Sequence, residues 1–225
     1  MTTPIDRPSP NTDARRDGTP IDMLVLHYTG MLTGAAALNR LCDPAAKVSA
    51  HYLIDEDGTA YCLVAEEKRA WHAGIANWCG ESDINGRSVG IELVNPGHEF
   101  IYRDFPQPQM AALIGLARDI LTRHPIPARN VVGHSDIAPD RKLDPGERFD
   151  WRSLAQNGIG LWPEAPQRVD GDIRDLLAEY GYDTATRHAV AAFQRHFRPA
   201  RIDGIADDET CAQLGGLIAH IRENS

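Results

Sequence analysis

The segment from Val131 to Gly146, VVGHSDIAPDRKLDPG, gathers an imidazole, an ammonium and a carboxylate in one short stretch. His134 follows an apolar pair and a glycine that lets the chain turn out of a strand. Lys142 and Asp144 come eight and ten residues later. Pro139, Pro145 and Gly146 oppose helix and regular strand, so a proline-stiffened loop is expected between them. Taken singly, each charge reads as a solvated surface group. Metal ligands, however, are drawn mostly from His, Cys, Asp and Glu, and a second segment supplies a matching imidazole. His27 stands near the end of the apolar run IDMLVLHYTG (21–30), the pattern of a strand buried on both faces. Open α/β sheets place their sites at such carboxyl ends, although His27 by itself reads as a core histidine bonded to backbone. His27, His134 and Asp144 together would form a His/His/Asp zinc site with one open position. Three protein ligands plus water is the catalytic form of zinc.

Two further residues complete a chemistry. In RSVGIELVNPG (87–97), strand alternation puts Val89, Ile91 and Leu93 on one face and Gly90, Glu92 and Val94 on the other. Glu92 is thus an acid inside an apolar strand, costly to bury unless it is paired, protonated or lining a cleft. It would act as the general base, and Lys142 would stabilise a developing oxyanion. Zinc, base and cation together describe amide hydrolysis.

These residues need elements to hold them. A chain that is 42% hydrophobic and 24% charged has enough apolar sequence for a sizeable core. Its net charge of -9 argues against nucleic acid as a partner. Cys42, Cys62, Cys79 and Cys211 are scattered, and read as idle thiols rather than a disulfide framework or thiolate zinc site. A thiol mechanism on Cys79 near His72 lacks an activating pair at a recognisable spacing. A short helix is expected over 34–44, a hairpin about Asp57-Gly58 within 49–65, and an amphipathic helix over 107–123. Residues 67–82 are irregular, and their Trp71 and Trp78 would either cap a core or stack on a ligand. Strand, helix and strand alternate, so the fold class is α/β with a mixed central sheet flanked by helices. Residues 1–20 read as an extended arm without an apolar signal or membrane span, which implies a cytoplasmic protein, or a periplasmic one if a signal has been removed.

The segments LHYTG, SAHYLIDEDG, AWHAG, VGIELVN and GHSDIAPDRKLDPG resemble the zinc-dependent N-acetylmuramoyl-L-alanine amidases of type 2, relatives of the peptidoglycan recognition proteins. The resemblance runs in order through about residues 20–160. It implies one zinc on His27, His134 and Asp144, with Glu92 and Lys142 catalytic, and a zinc cleft across the sheet. It further implies that His51, Trp71, His72 and Asn95 line a substrate groove. The implied reaction cuts the amide between the lactyl group of N-acetylmuramic acid and the L-alanine of the stem peptide, in peptidoglycan or its muropeptide fragments. The alternatives are a non-catalytic recognition module on the same fold, which would typically lack a ligand, and a zinc peptidase cutting within the stem peptide.

Beyond a proline-containing linker at 161–171, apolar stripes at Ile173, Leu176, Leu177 and Tyr180, at Ala189, Val190, Phe193 and Phe197, and at Leu214, Leu217, Ile218 and Ile221 predict three helices over 172–225. GYDTATRHAVAAFQRHF and IDGIADDETCAQL resemble the three-helix peptidoglycan-binding domain of cell-wall hydrolases, with a departure between Tyr182 and Val190. So small a module is expected to dock on the catalytic domain, as a wall binder or as a packing appendage.

Overall fold

The computed structural model describes residues 3–224. Met1, Thr2 and Ser225, at the ends of the predicted arm and helical domain, lie outside the described residues. A six-stranded mixed sheet forms the centre. In chain order its strands are β1 (Ile5–Asp6), β3 (Met23–Tyr28), β4 (Tyr52–Ile54), β5 (Ala60–Cys62), β7 (Ser88–Leu93) and β8 (Val131–Gly133), arranged β1-β5-β4-β7-β3-β8. Only the β4–β5 hairpin is antiparallel, as its Asp57-Gly58 turn predicts. A separate antiparallel pair joins β2 (Thr12–Ala14) to β6 (Lys68–Ala70).

The central strand β3 is covered on both faces, as its apolar run demands. Leu24 and Leu26 pack under helix α3 (Gln107–Arg123), whereas Met23 and Val25 join a second core on the opposite face. All four are fully buried, and each such side chain contributes roughly 1.5–3 kcal/mol. Helix α3 has the predicted bounds, with Leu113, Ala117 and Ile120 at its buried centre. It also buries Gln109, whose side-chain amide donates to Ile54 O and Val94 O and ties the helix to the sheet.

The arm is extended but not loose. Besides its strand pairings, Arg15 donates to the carbonyls of Glu66, Asn85, Gly86 and Ser88. The second core contains Trp78, Ile84 and Ile137 together with the three carboxyl-terminal helices α6 (Ile173–Tyr180), α7 (Ala189–Phe197) and α8 (Asp208–Glu223). The helical module is therefore packed against the sheet rather than tethered beside it. Within the linker, Leu161 and Trp162 pack on this core, and Gln167 N donates to Ala212 O of α8. Among the described residues, no helix is long and apolar enough to cross a membrane.

Candidate active site

Period-2 geometry decides where the chemistry points. His27 is two residues beyond Val25 and so emerges on the face away from α3. In the parallel β3–β7 pair His27 stands in register with Glu92, whose alternate neighbours Val89, Ile91 and Leu93 fill the α3 face. Carboxyl and imidazole therefore leave the sheet side by side.

His134 arrives from β8, adjacent to β3 on its other side. The expected loop after β8 begins instead with a helical turn, α4 (His134–Ile137), ended by Pro139. Asp136 caps it: its Oδ2 accepts from Gly133 N at 2.7 Å. The chain then folds back so that Ser135 N donates to Asp144 O at 2.8 Å, which brings Asp144 beside His134.

His27 Nδ1, His134 Nδ1 and Asp144 Oδ2 converge, with separations of 3.0, 3.0 and 3.1 Å. Among the described residues this is the one group of three with metal-ligand character and mutual reach, and all three are buried. A tetrahedral cation with bonds of about 2.0–2.1 Å would separate its ligands by about 3.3 Å, so the cluster has the right size. The donor chemistry agrees. His134 Nε2 faces Ala73 O at 2.9 Å, and donation there leaves Nδ1 with a lone pair aimed at the cluster. Burial, and then the charge of His134, lowers the His27 pKa to about 4, so its ring is neutral and fit to ligate. Burial alone would raise the Asp144 carboxyl, but His134 and His27 outweigh it and hold it well below the usual range, as a carboxylate. The residues fit a zinc ion.

Glu92, His134, Lys142 and Asp144 border a cavity of about 640 Å³. Burial, and then the charge of Asp144, lifts the Glu92 carboxyl well above its ordinary 4.5. Its Oε2 is covered and has no hydrogen-bond partner among the described residues. Of the four predicted groove residues, Trp71 and His72 reach the cavity wall and His51 and Asn95 do not. His51 is fully buried: its Nδ1 accepts from Gly90 N and its Nε2 meets Arg15 of the arm, so it locks strands together. Asn95, also fully buried, donates to Arg103 O and accepts from Gly97 N, which shapes the loop carrying His98 and Phe100 to the cavity rim. Both side chains are fully buried and turn their polar atoms to partners inside the fold rather than to the cavity. Trp78, weighed with Trp71 as a stacking residue, is likewise a core residue, edge-on to Tyr180 and Tyr182. Burial raises the Cys79 thiol pKa, the opposite of what a nucleophile requires.

Among the lining residues missed in the sequence, Arg40, His98 and Tyr28 bring polar groups. Arg40 of helix α1 (Gly34–Cys42) offers a cation at the cavity wall. His98 and Tyr28 are joined, Tyr28 OH to His98 Nδ1 at 2.9 Å, with Glu147 on the other ring nitrogen at 3.1 Å. No periodicity or spacing marks them, because loop and strand ends meet here only in space.

The family model "N-acetylmuramoyl-L-alanine amidase" matches residues 17–147, and "Putative peptidoglycan binding domain" matches residues 172–214. The chain is similar to N-acetylmuramoyl-L-alanine amidase AmiD of Escherichia coli (strain K12), at 41% identity over 88% of this chain and 82% of that protein. The structure of E. coli AmiD in complex with the substrate anhydro-N-acetylmuramic acid-L-Ala-D-gamma-Glu-L-Lys superposes with a TM-score of 0.79, at 38% identity over 92% of this chain and 93% of the other. Pseudomonas aeruginosa AmpDh3 in complex with anhydromuramic pentapeptide gives 0.75, at 35% identity over 95% and 96%.

Proposed function

The chain belongs to the N-acetylmuramoyl-L-alanine amidase family, and we propose that His27, His134 and Asp144 hold one zinc ion for this reaction. The protein is an N-acetylmuramoyl-L-alanine amidase, an enzyme acting on muropeptides and peptidoglycan. The bond cut joins the lactyl group of N-acetylmuramic acid to L-alanine. The observation that carries the metal reading is the convergence of two imidazole nitrogens and a carboxylate oxygen within 3.1 Å, beside Glu92.

Zinc held there would supply Lewis acidity toward the scissile carbonyl and the attacking water. Glu92 accepts the proton of that water and returns it to the leaving amine, and burial raises its carboxyl pKa above the ordinary value, which favours the return. Lys142 places its ammonium against the negative charge that develops on the carbonyl oxygen. Trp71, in the cavity wall, orients the substrate by stacking. The helical module supports a role on polymeric wall as well as on soluble fragments.

Product analysis by mass spectrometry tests this. The protein is incubated with an anhydro-muramyl tripeptide and, separately, with intact sacculi. Each reaction is run as isolated, after chelator, and after zinc is restored. Release of stem peptide beginning at L-alanine, lost with chelator and regained with zinc, is expected. Cleavage that survives complete metal removal would sink the zinc reading.

A further inference from the structure

Behind the metal cluster a chain of hydrogen bonds leads away from His27. His27 Nε2 faces His72 Nδ1 at 3.0 Å, and His72 Nε2 faces Ser88 Oγ at 3.2 Å. Ser88 Oγ in turn donates to the backbone carbonyl of Ile84 at 2.6 Å. All three side chains are buried.

The direction of every bond follows from the last one. A carbonyl only accepts, so the single hydroxyl proton of Ser88 is committed to Ile84 O. Ser88 Oγ must then accept from His72, whose Nε2 carries the proton. Among the described residues no carboxylate bonds to the His72 ring to hold a second proton, so its Nδ1 is bare and accepts from His27 Nε2–H. A neutral His27 protonated at Nε2 has its free lone pair on Nδ1, the atom that meets His134 and Asp144. The tautomer of the ligand is thus set by a peptide carbonyl three bonds away.

The backbone of the same segment serves the other histidine. His72 N and Ala73 N both donate to Asn85 Oδ1, at 3.1 and 2.8 Å, and Ala73 O faces His134 Nε2. Gly90 leaves the space that the ring occupies: a Cβ there would lie 2.6 Å from two carbons of the His72 imidazole.

We propose that His72 is a positioning residue of the metal centre, held by Ser88 as its Nε2–H tautomer so that it orients His27. The inference rests on the zinc reading above. Outer partners of this kind typically change metal affinity by 10–100-fold.

Zinc affinity is measured by competition with a chromophoric chelator on the full-length wild type, His72→Leu, His72→Asn and Ser88→Ala. His72→Leu strands the His27 Nε2–H and is expected to weaken zinc binding 10–100-fold. His72→Asn keeps an acceptor near that proton and should recover most of the loss, with Ser88→Ala intermediate. Unchanged zinc affinity in His72→Leu, with KM raised instead, would overturn the proposal and leave the zinc site standing. Failure of the wild type to bind zinc would sink both readings together. Independently of any variant, long-range imidazole ¹H–¹⁵N spectra of the zinc-loaded wild type should show His72 neutral and protonated at Nε2. A proton on Nδ1, or on both nitrogens, would contradict it.

Discussion

Glu92 carries the sharpest expectation at the scale of single residues. Glu92→Gln keeps size and removes the proton acceptor, so kcat should fall by roughly 10²–10⁴-fold. Zinc content, measured by metal analysis, should stay stoichiometric, because Glu92 is not among the converging ligand atoms. A variant that lost its zinc along with its activity would instead mark Glu92 as part of the metal site. The ligand types and Glu92 were legible in the sequence because strand alternation and the chemistry of His and Asp are local. His51 and His72 were not separable there. Both precede a buried strand or loop, and only packing shows one ring spent on Arg15 and Gly90 and the other laid against His27.

At the scale of elements, α3 and the sheet are joined at their ends by Glu66. Its carboxylate accepts from Tyr52 OH at 2.7 Å and Arg123 at 2.6 Å and meets His124 at 2.6 Å. Burial would raise its pKa, but these bonds win and hold it at about 2, against an ordinary 4.5. A depressed folded pKa means that the unfolded chain binds the proton more readily. The stabilisation is therefore complete above about pH 4.5 and disappears as pH falls through about 2. Glu66→Gln should lower stability at pH 7 by about 1–3 kcal/mol, measured by urea denaturation. The gap from wild type should close in acid, and a gap that is constant from pH 7 to pH 2 would refute the linkage. The turn α4 depends on a comparable device. Asp136 Oδ1 accepts from Tyr182 OH at 2.8 Å, and its Oδ2 meets His196 Nδ1 at 2.7 Å. Removal of one hydroxyl by Tyr182→Phe should cost about 1–3 kcal/mol in thermal or chemical melts, although Tyr182 is far from the cavity wall in sequence and absent from it in space. No loss of stability would mean that the contact is incidental. A four-residue turn between Gly133 and Pro139 has no readable periodicity, which is why the sequence suggested only loop.

For the whole molecule, the carboxyl-terminal helices complete the core that lies behind the α4 turn. His196 stacks on Trp151 with ring centroids 3.7 Å apart, and α6 ends at Gly181 in a left-handed conformation beneath the Trp78 indole. Trp78, Ile137 and Ala138 would be laid bare without them. Calorimetry of the full chain should therefore give one cooperative transition; two well-separated ones would show that the module folds independently. The helix periodicities, the buried strand, the hairpin turn and the choice of His27, His134 and Asp144 as candidate ligands were legible in the sequence alone, since each depends on neighbours a few residues apart or on side-chain chemistry itself. Only the tertiary structure decided that His27 registers with Glu92, that His72 stands behind His27 while His51 and Asn95 face inward, and that Tyr182 and His196 brace Asp136. Those choices rest on strand order and on which buried polar atoms find partners, and such pairings join residues tens of positions apart, where local propensity carries no information.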